Sequence, residues 1–103
     1  MTEGPKNMDQ ALGRVIAKHR TETPLTQEAM AEVLETSSGR VKNLEQGRQA
    51  VPMSYLWECA GLFSCQVTDL VAEAEELLRQ RGIVPTRPQP NTVVRNIGRS
   101  LGF

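Results

Sequence analysis

"TQEAMAEVLETSSGRVKNLEQGR", residues 26–48, is the stretch whose reading decides the fold. Thr26 is placed as an N-cap, with Gln27 and Glu28 in the first helical turn after it. Met30, Ala31, Val33 and Leu34 form the apolar side of that helix. "ETS" interrupts it, and Ser37 caps a second helix whose inward stripe is only Val41 and Leu44. Gly47 ends this second helix in the manner of a C-terminal glycine. Two short helices joined by so tight a turn are the sequence form of a helix-turn-helix. One residue resists this simple reading. Gly39 stands near the start of the second helix, where glycine costs about 1 kcal/mol relative to alanine. A helix that gives up a side chain there needs a reason in what that face touches.

Working outward, Met8, Leu12, Val15, Ile16 and His19 lie on one helical stripe over residues 9–21. "TETPL" breaks it, because Pro24 disfavours helix at the residue before it. Downstream, "RQAVPM" reads as a loop and Ser54 as the cap of a fourth helix with Leu56, Trp57, Ala60 and Phe63 inward; Trp57 and Phe63 read as core anchors. Gln66 or Ser64 opens a fifth helix with Val67, Leu70, Val71, Ala74, Leu77 and Leu78 along one side, running to about Arg81. There is no strand pattern and no internal repeat. The expected architecture is all-α, five helices over residues 8–81. Residues 82–103 form a basic, proline-containing tail in which Asn91 can cap a short docking helix bearing Val93, Val94, Ile97 and Leu101.

The 103 residues suffice for one small hydrophobic core. No apolar run reaches the roughly 20 residues of a membrane span, and the N-terminus lacks the order of a signal peptide. A cytoplasmic protein is expected. Cys59 and Cys65 match no zinc or redox spacing and read as small, reduced core residues. His19, the one histidine, reads as a packing or surface residue. No nucleophile–base pair, carboxylate pair or metal cluster is visible, so neither catalysis nor a cofactor is expected. Net charge is zero but uneven. Residues 1–78 hold all twelve acids against seven Lys/Arg, a net −5, while residues 79–103 hold Arg79, Arg81, Arg87, Arg95 and Arg99 and no acid, a net +5. Such a segment docks on an acidic surface or on phosphate. "EAEE" at residues 73–76 reads as a solvated face.

Residues 26–48, with "LGRVIAKHR" upstream and "AGLFSCQVTDLV" downstream, resemble the lambda-repressor-like helix-turn-helix family, also called the Cro/repressor or XRE family. The resemblance covers residues 12–70. It implies a five-helix domain whose third helix enters the DNA major groove with its N-terminal residues on base edges. Those positions here are Ser37, Ser38, Gly39, Lys42 and Asn43. It implies that Gln27 contacts a phosphate and braces the recognition helix, and that Arg20 and Glu45 form a partly buried ion pair. Asn43 can pair bidentately with adenine, Lys42 or Arg40 with guanine or phosphate, and Arg48 with phosphate. Gly39 would let the backbone approach the DNA closely. Two positions depart from the family. Its usual turn glycine is Glu35 here, where a left-handed backbone would cost on the order of 1 kcal/mol. The apolar position after it is Thr36.

The implied function is a sequence-specific, non-enzymatic transcriptional regulator acting on double-stranded DNA. One such unit buries little surface, so a homodimer on an inverted repeat is expected, with Val67, Leu70, Val71, Ala74, Leu77 and Leu78 of the fifth helix at the interface. The alternative is a protein-interaction module, antitoxin-like, whose tail holds a partner protein while DNA binding is secondary.

Overall fold

Five helices build the part of the chain that the computed structural model describes, residues 4–85. The docking helix expected in the tail, with Arg87, Arg95, Arg99 and the stripe from Val93 to Leu101, lies outside the described residues. Helix α1 spans Met8–Glu22, α2 Gln27–Val33, α3 Ser38–Glu45, α4 Met53–Leu62 and α5 Val67–Arg79. Three starts are capped by side chains that satisfy first-turn N–H groups. Asn7 accepts from the Gln10 N–H, Thr26 from Ala29 and Ser37 from Arg40, at 2.9–3.1 Å. At α5 the contact runs the other way: the Asp69 carboxylate accepts the Gln66 N–H at 2.9 Å. Helix α4 departs from the expected cap. It begins at Met53 with Pro52, φ −66°, as its N-cap residue, and Ser54 lies inside the first turn. The proline ring already holds an entry angle suited to a helix, and the Pro52 carbonyl accepts the first bond, from Leu56.

Four helices end in the same way. The N–H just after a left-handed residue returns to a carbonyl five residues earlier: Thr36 to Ala31 at 2.8 Å, Arg48 to Asn43 at 3.0 Å, Cys65 to Ala60 at 2.9 Å and Ile83 to Leu78 at 2.9 Å. Each such ending needs one left-handed residue. Gly47 and Gly82 supply it after α3 and α5 with φ 71° and 75°, but Glu35 and Ser64 supply it after α2 and α4 with φ 55° and 56°. The tight turn between α2 and α3 therefore forms without the glycine that would make it easy.

Helix α1 packs against both α3 and α5, α2 against α3, and α4 against α5. Their shared core holds Leu12, Val15 and Ile16 of α1, Met30 and Ala31 of α2, and Val41 and Leu44 of α3. Tyr55, Leu56, Cys59 and Ala60 of α4 and Leu70, Ala74 and Leu78 of α5 complete it. Burial pushes the Cys59 thiol up to about 12, so at neutral pH it remains a protonated, free core residue.

Several residues sit differently from their sequence reading. Trp57 is not a core anchor but points outward at 74% exposure; Tyr55, two positions earlier, is buried instead. Val33 faces solvent, and Met8 stands at the edge of the first stripe rather than within it. Leu70, Ala74 and Leu78, expected at a dimer surface, lie buried inside the protomer, while Val67, Val71 and Leu77 are partly buried against the same core. The reason is length: α5 is long enough to lay its stripe along α1. Glu73 leaves the expected solvated face to meet α1. Its carboxylate accepts Lys18 Nζ at 3.0 Å and lies 2.7 Å from His19 Nε2, while the His19 ring stacks on Phe63 with centroids 5.4 Å apart. Arg79 pairs with Glu76, and Arg81 donates to the Gly4 and Pro5 carbonyls, so both basic side chains fold back on the body.

Two outcomes follow for stability. Glu35→Gly and Ser64→Gly should each raise the unfolding free energy, by about 0.5–1 kcal/mol, because relief of the left-handed strain exceeds the added chain entropy; urea titration measures this. For Glu73, burial alone would raise the pKa, but the hydrogen bonds from His19 and Lys18 outweigh it and hold the carboxyl below its ordinary value. A depressed carboxylate pKa contributes stability above its unfolded pKa that is lost as pH falls through the folded pKa. Melting temperature should therefore fall less steeply on acidification in Glu73→Gln than in the wild type.

Candidate nucleic-acid interface

Helix α3 has one acid, Glu45, and the fold turns it inward. Arg20 of α1 grips it with two nitrogens: Nε donates to Oε2 at 2.7 Å and a terminal guanidinium nitrogen to Oε1 at 3.2 Å. Gln27, first residue of α2, donates its side-chain amide to the same Oε1 at 2.9 Å. The remaining guanidinium arm donates to the Leu25 carbonyl at 2.7 Å, in the loop between α1 and α2. The side chains of Arg20 and Glu45 are only 14% and 5% exposed. Planar two-pronged pairing of this kind fixes direction as well as distance. One carboxylate thus holds three helices in register.

A backbone contact does the rest. A Cβ added at Gly13 would stand 2.4 Å from the Leu44 carbonyl oxygen and 2.6 Å from that of Glu45. No real side chain tolerates such spacing, so α1 touches the C-terminal end of α3 backbone to backbone. Sequence reading passed over Gly13; its only trace was a lone glycine inside an otherwise regular helical pattern.

With its inner side so anchored, α3 shows water a face made of small and polar groups. Ser37, Ser38, Gly39 and Lys42 are exposed, Asn43 is half-exposed, and Arg48 is exposed just past the helix. A Cβ at Gly39 would meet nothing nearer than the Ser37 hydroxyl, 4.0 Å away. Nothing inside the protein requires a glycine there. Arg40 differs from its neighbours: its guanidinium lies over the Tyr55 ring, 5.3 Å from the centroid, which ties it to α4. The face therefore offers an ammonium, an amide, two hydroxyls and, beyond Gly47, a second cation. Such donors and acceptors suit phosphate oxygens and base edges alike. Among the described residues no group of His, Cys, Asp and Glu is arranged to hold a metal ion, and no helix is long and apolar enough to cross a membrane.

Two crystal structures of the clp gene regulator ClgR from Corynebacterium glutamicum share this architecture. One is 27% identical, with a TM-score of 0.63 over 68% of this chain and 91% of that chain. The other, at 23% identity, shows the fold alone, with a TM-score of 0.68 over 92% and 95% of the two chains. No protein-family model matches the chain, and no curated protein matches it either.

The ion pair should be measurable as coupling. Glu45→Ala should destabilise the fold by about 3–5 kcal/mol, since Arg20 would keep its charge in a site nearly closed to water. In a double-mutant cycle with Arg20→Ala, chemical denaturation should show a coupling of about 1–3 kcal/mol. Additive effects would mean that the two side chains act separately.

Proposed function

We propose that this protein is a sequence-specific DNA-binding transcriptional regulator, acting as a dimer on an inverted-repeat operator. The observation that carries the proposal is the outward face of α3. Its one acid is turned inward and neutralised by Arg20, so everything it presents to an approaching polyanion is neutral or cationic. The likeness to a gene regulator of the same fold, 27% identical, supports this reading.

In the proposed complex α3 lies in the major groove. Asn43 reads an adenine edge, Lys42 a guanine or a phosphate, and Ser37 and Ser38 approach through their hydroxyls. Gly39 lets the α3 backbone close on the DNA, a role consistent with its having no packing role inside the protein. Arg48 contacts phosphate. The Gln27 amide carries two N–H groups; Glu45 takes one, and the second is available to a phosphate oxygen beside it. Arg40, stacked on Tyr55, contributes charge near the groove more than a base contact.

Selection from random duplexes tests this directly. The enriched site should be a symmetric repeat with half-sites about one helical turn, roughly 10 base pairs, apart. Recovery of no site above background would reject the proposal. Substitutions should then separate the roles. Asn43→Ala and Lys42→Ala should weaken binding to the selected site by about 1–3 kcal/mol each. Arg48→Ala should weaken binding to all sequences and reduce the salt slope by about one. Gly39→Ala should stabilise the free protein by up to about 1 kcal/mol while weakening its binding to the operator.

A further inference from the structure

Two large apolar side chains that the fold leaves in water, Met8 at 37% and Val84 at 65% exposure, stand on one groove of about 410 Å³. It lies between the entry to α1 and the last turns of α5, where Leu78, Ile83 and Pro85 line it as well. Both of its sides are held in place. Arg81 donates to the Gly4 and Pro5 carbonyls, which fastens the segment before α1 to the end of α5. Gly82, at φ 75°, turns the chain, and the Ile83 N–H returns to the Leu78 carbonyl at 2.9 Å, so the chain folds back at the end of α5.

We propose that residues 91–101 of this same chain form a short helix that lies in this groove with Val93, Val94, Ile97 and Leu101 inward. The inference stands apart from the DNA-binding reading and gives the basic tail a seat on the body.

Connectivity selects this occupant. The described residues run out at Pro85, which itself lines the groove. The five residues that follow, "TRPQP" at 86–90, span roughly 16 Å at about 3.1 Å per residue. Helix α5, with 13 residues, is about 20 Å long. Asn91 therefore stays within one helix length of the groove. A tether this short holds the tail at an effective concentration on the order of millimolar, which a free partner or the tail of a second copy must exceed.

Pattern and charge agree with it. On a helix of about 3.6 residues per turn, Val93, Val94, Ile97 and Leu101 share one side, and Arg95 and Arg99 take the opposite one. The charged groups on the groove are Lys6, Glu75 and Arg79, and Arg79 is paired with Glu76. A helix that turned its arginines inward would set them against Lys6 and Arg79. With its apolar side inward it covers Met8 and Val84 and keeps both guanidiniums in water. So short a helix is marginal alone and gains its stability from the surface it covers.

Val84→Asp and Ile97→Asp, singly and together, are melted beside the full-length wild type. Val84 is exposed among the described residues, so its substitution costs stability only through a segment that covers it. Each variant is expected to lower the melting temperature by roughly 4–8 °C, and the pair by little more than either alone. Cross-linking fixes the seat. In the full chain carrying Cys65→Ser, Met8→Cys and Ile97→Cys are oxidised together over a dilution series, with Cys59 buried and out of reach. The expected product is a disulfide within one chain, formed at a rate independent of protein concentration. It should form roughly tenfold faster than when Arg95→Cys replaces Ile97→Cys. A disulfide that joins two chains overturns the seat within one chain and gives the groove to the tail of a second copy. Equal rates for the two pairs, or single variants that melt like the wild type, overturn the docking itself. Neither readout involves DNA, so every outcome leaves the regulator reading as it stands.

Discussion

Everything that α3 presents outward depends on one carboxylate held inward. Glu45 accepts from Arg20 of α1 and from Gln27 of α2, while the last arm of Arg20 reaches the loop that joins those two helices. A charge this enclosed is tolerable only because its oxygens are filled by well-aimed donors. The same requirement makes the arrangement selective. A rotation of α3 that moved Lys42 and Asn43 would also pull Glu45 away from the guanidinium and leave two charges poorly solvated. The orientation of the outer face and the satisfaction of the inner charge are therefore one constraint.

The backbone contact at Gly13 complements this electrostatic one. The ion pair sets the rotation of α3, and the close approach of α1 to the Leu44 and Glu45 carbonyls sets its distance. At the other end of the unit, the turn between α2 and α3 is made by Glu35 in a left-handed conformation. That residue opposes the turn locally, and the turn persists because the Thr36 and Glu35 N–H groups close on α2 while Met30, Val41 and Leu44 bury behind it. Local strain is offset by tertiary packing, and the rigid presentation of a short helix is what that packing secures.

Helices α4 and α5 show a different balance. The apolar row of α5 is spent on α1, reinforced where Glu73 meets Lys18 and His19. Helix α4 has more apolar surface than its own core can take. It places Tyr55, Leu56, Cys59 and Ala60 inside and leaves Met53 and Trp57 outside.

What the sequence by itself determined was everything that depends on neighbours along the chain. Thr26 and Ser37 act as caps because a cap needs only its own oxygen and an N–H three residues on. Gly47 ends α3, and the helix-turn-helix was legible because period and spacing are local properties. The polar outer face of α3 was legible too, being what remained once Val41 and Leu44 were assigned inward. The rotation of α4 was not. Tyr55, Leu56 and Trp57 are consecutive and Cys59 and Ala60 follow, so the helix is apolar nearly all round and no periodicity selects the buried side. Only the surfaces of α5 and the Arg40 side chain over the Tyr55 ring chose Tyr55 over Trp57. The destination of the α5 stripe was likewise hidden, since a stripe states that a face will be covered and not by what. Gly13 and the reach of Glu73 to His19 belong to the same class, because both are contacts between residues far apart in the chain, and their distances exist only once the helices have packed.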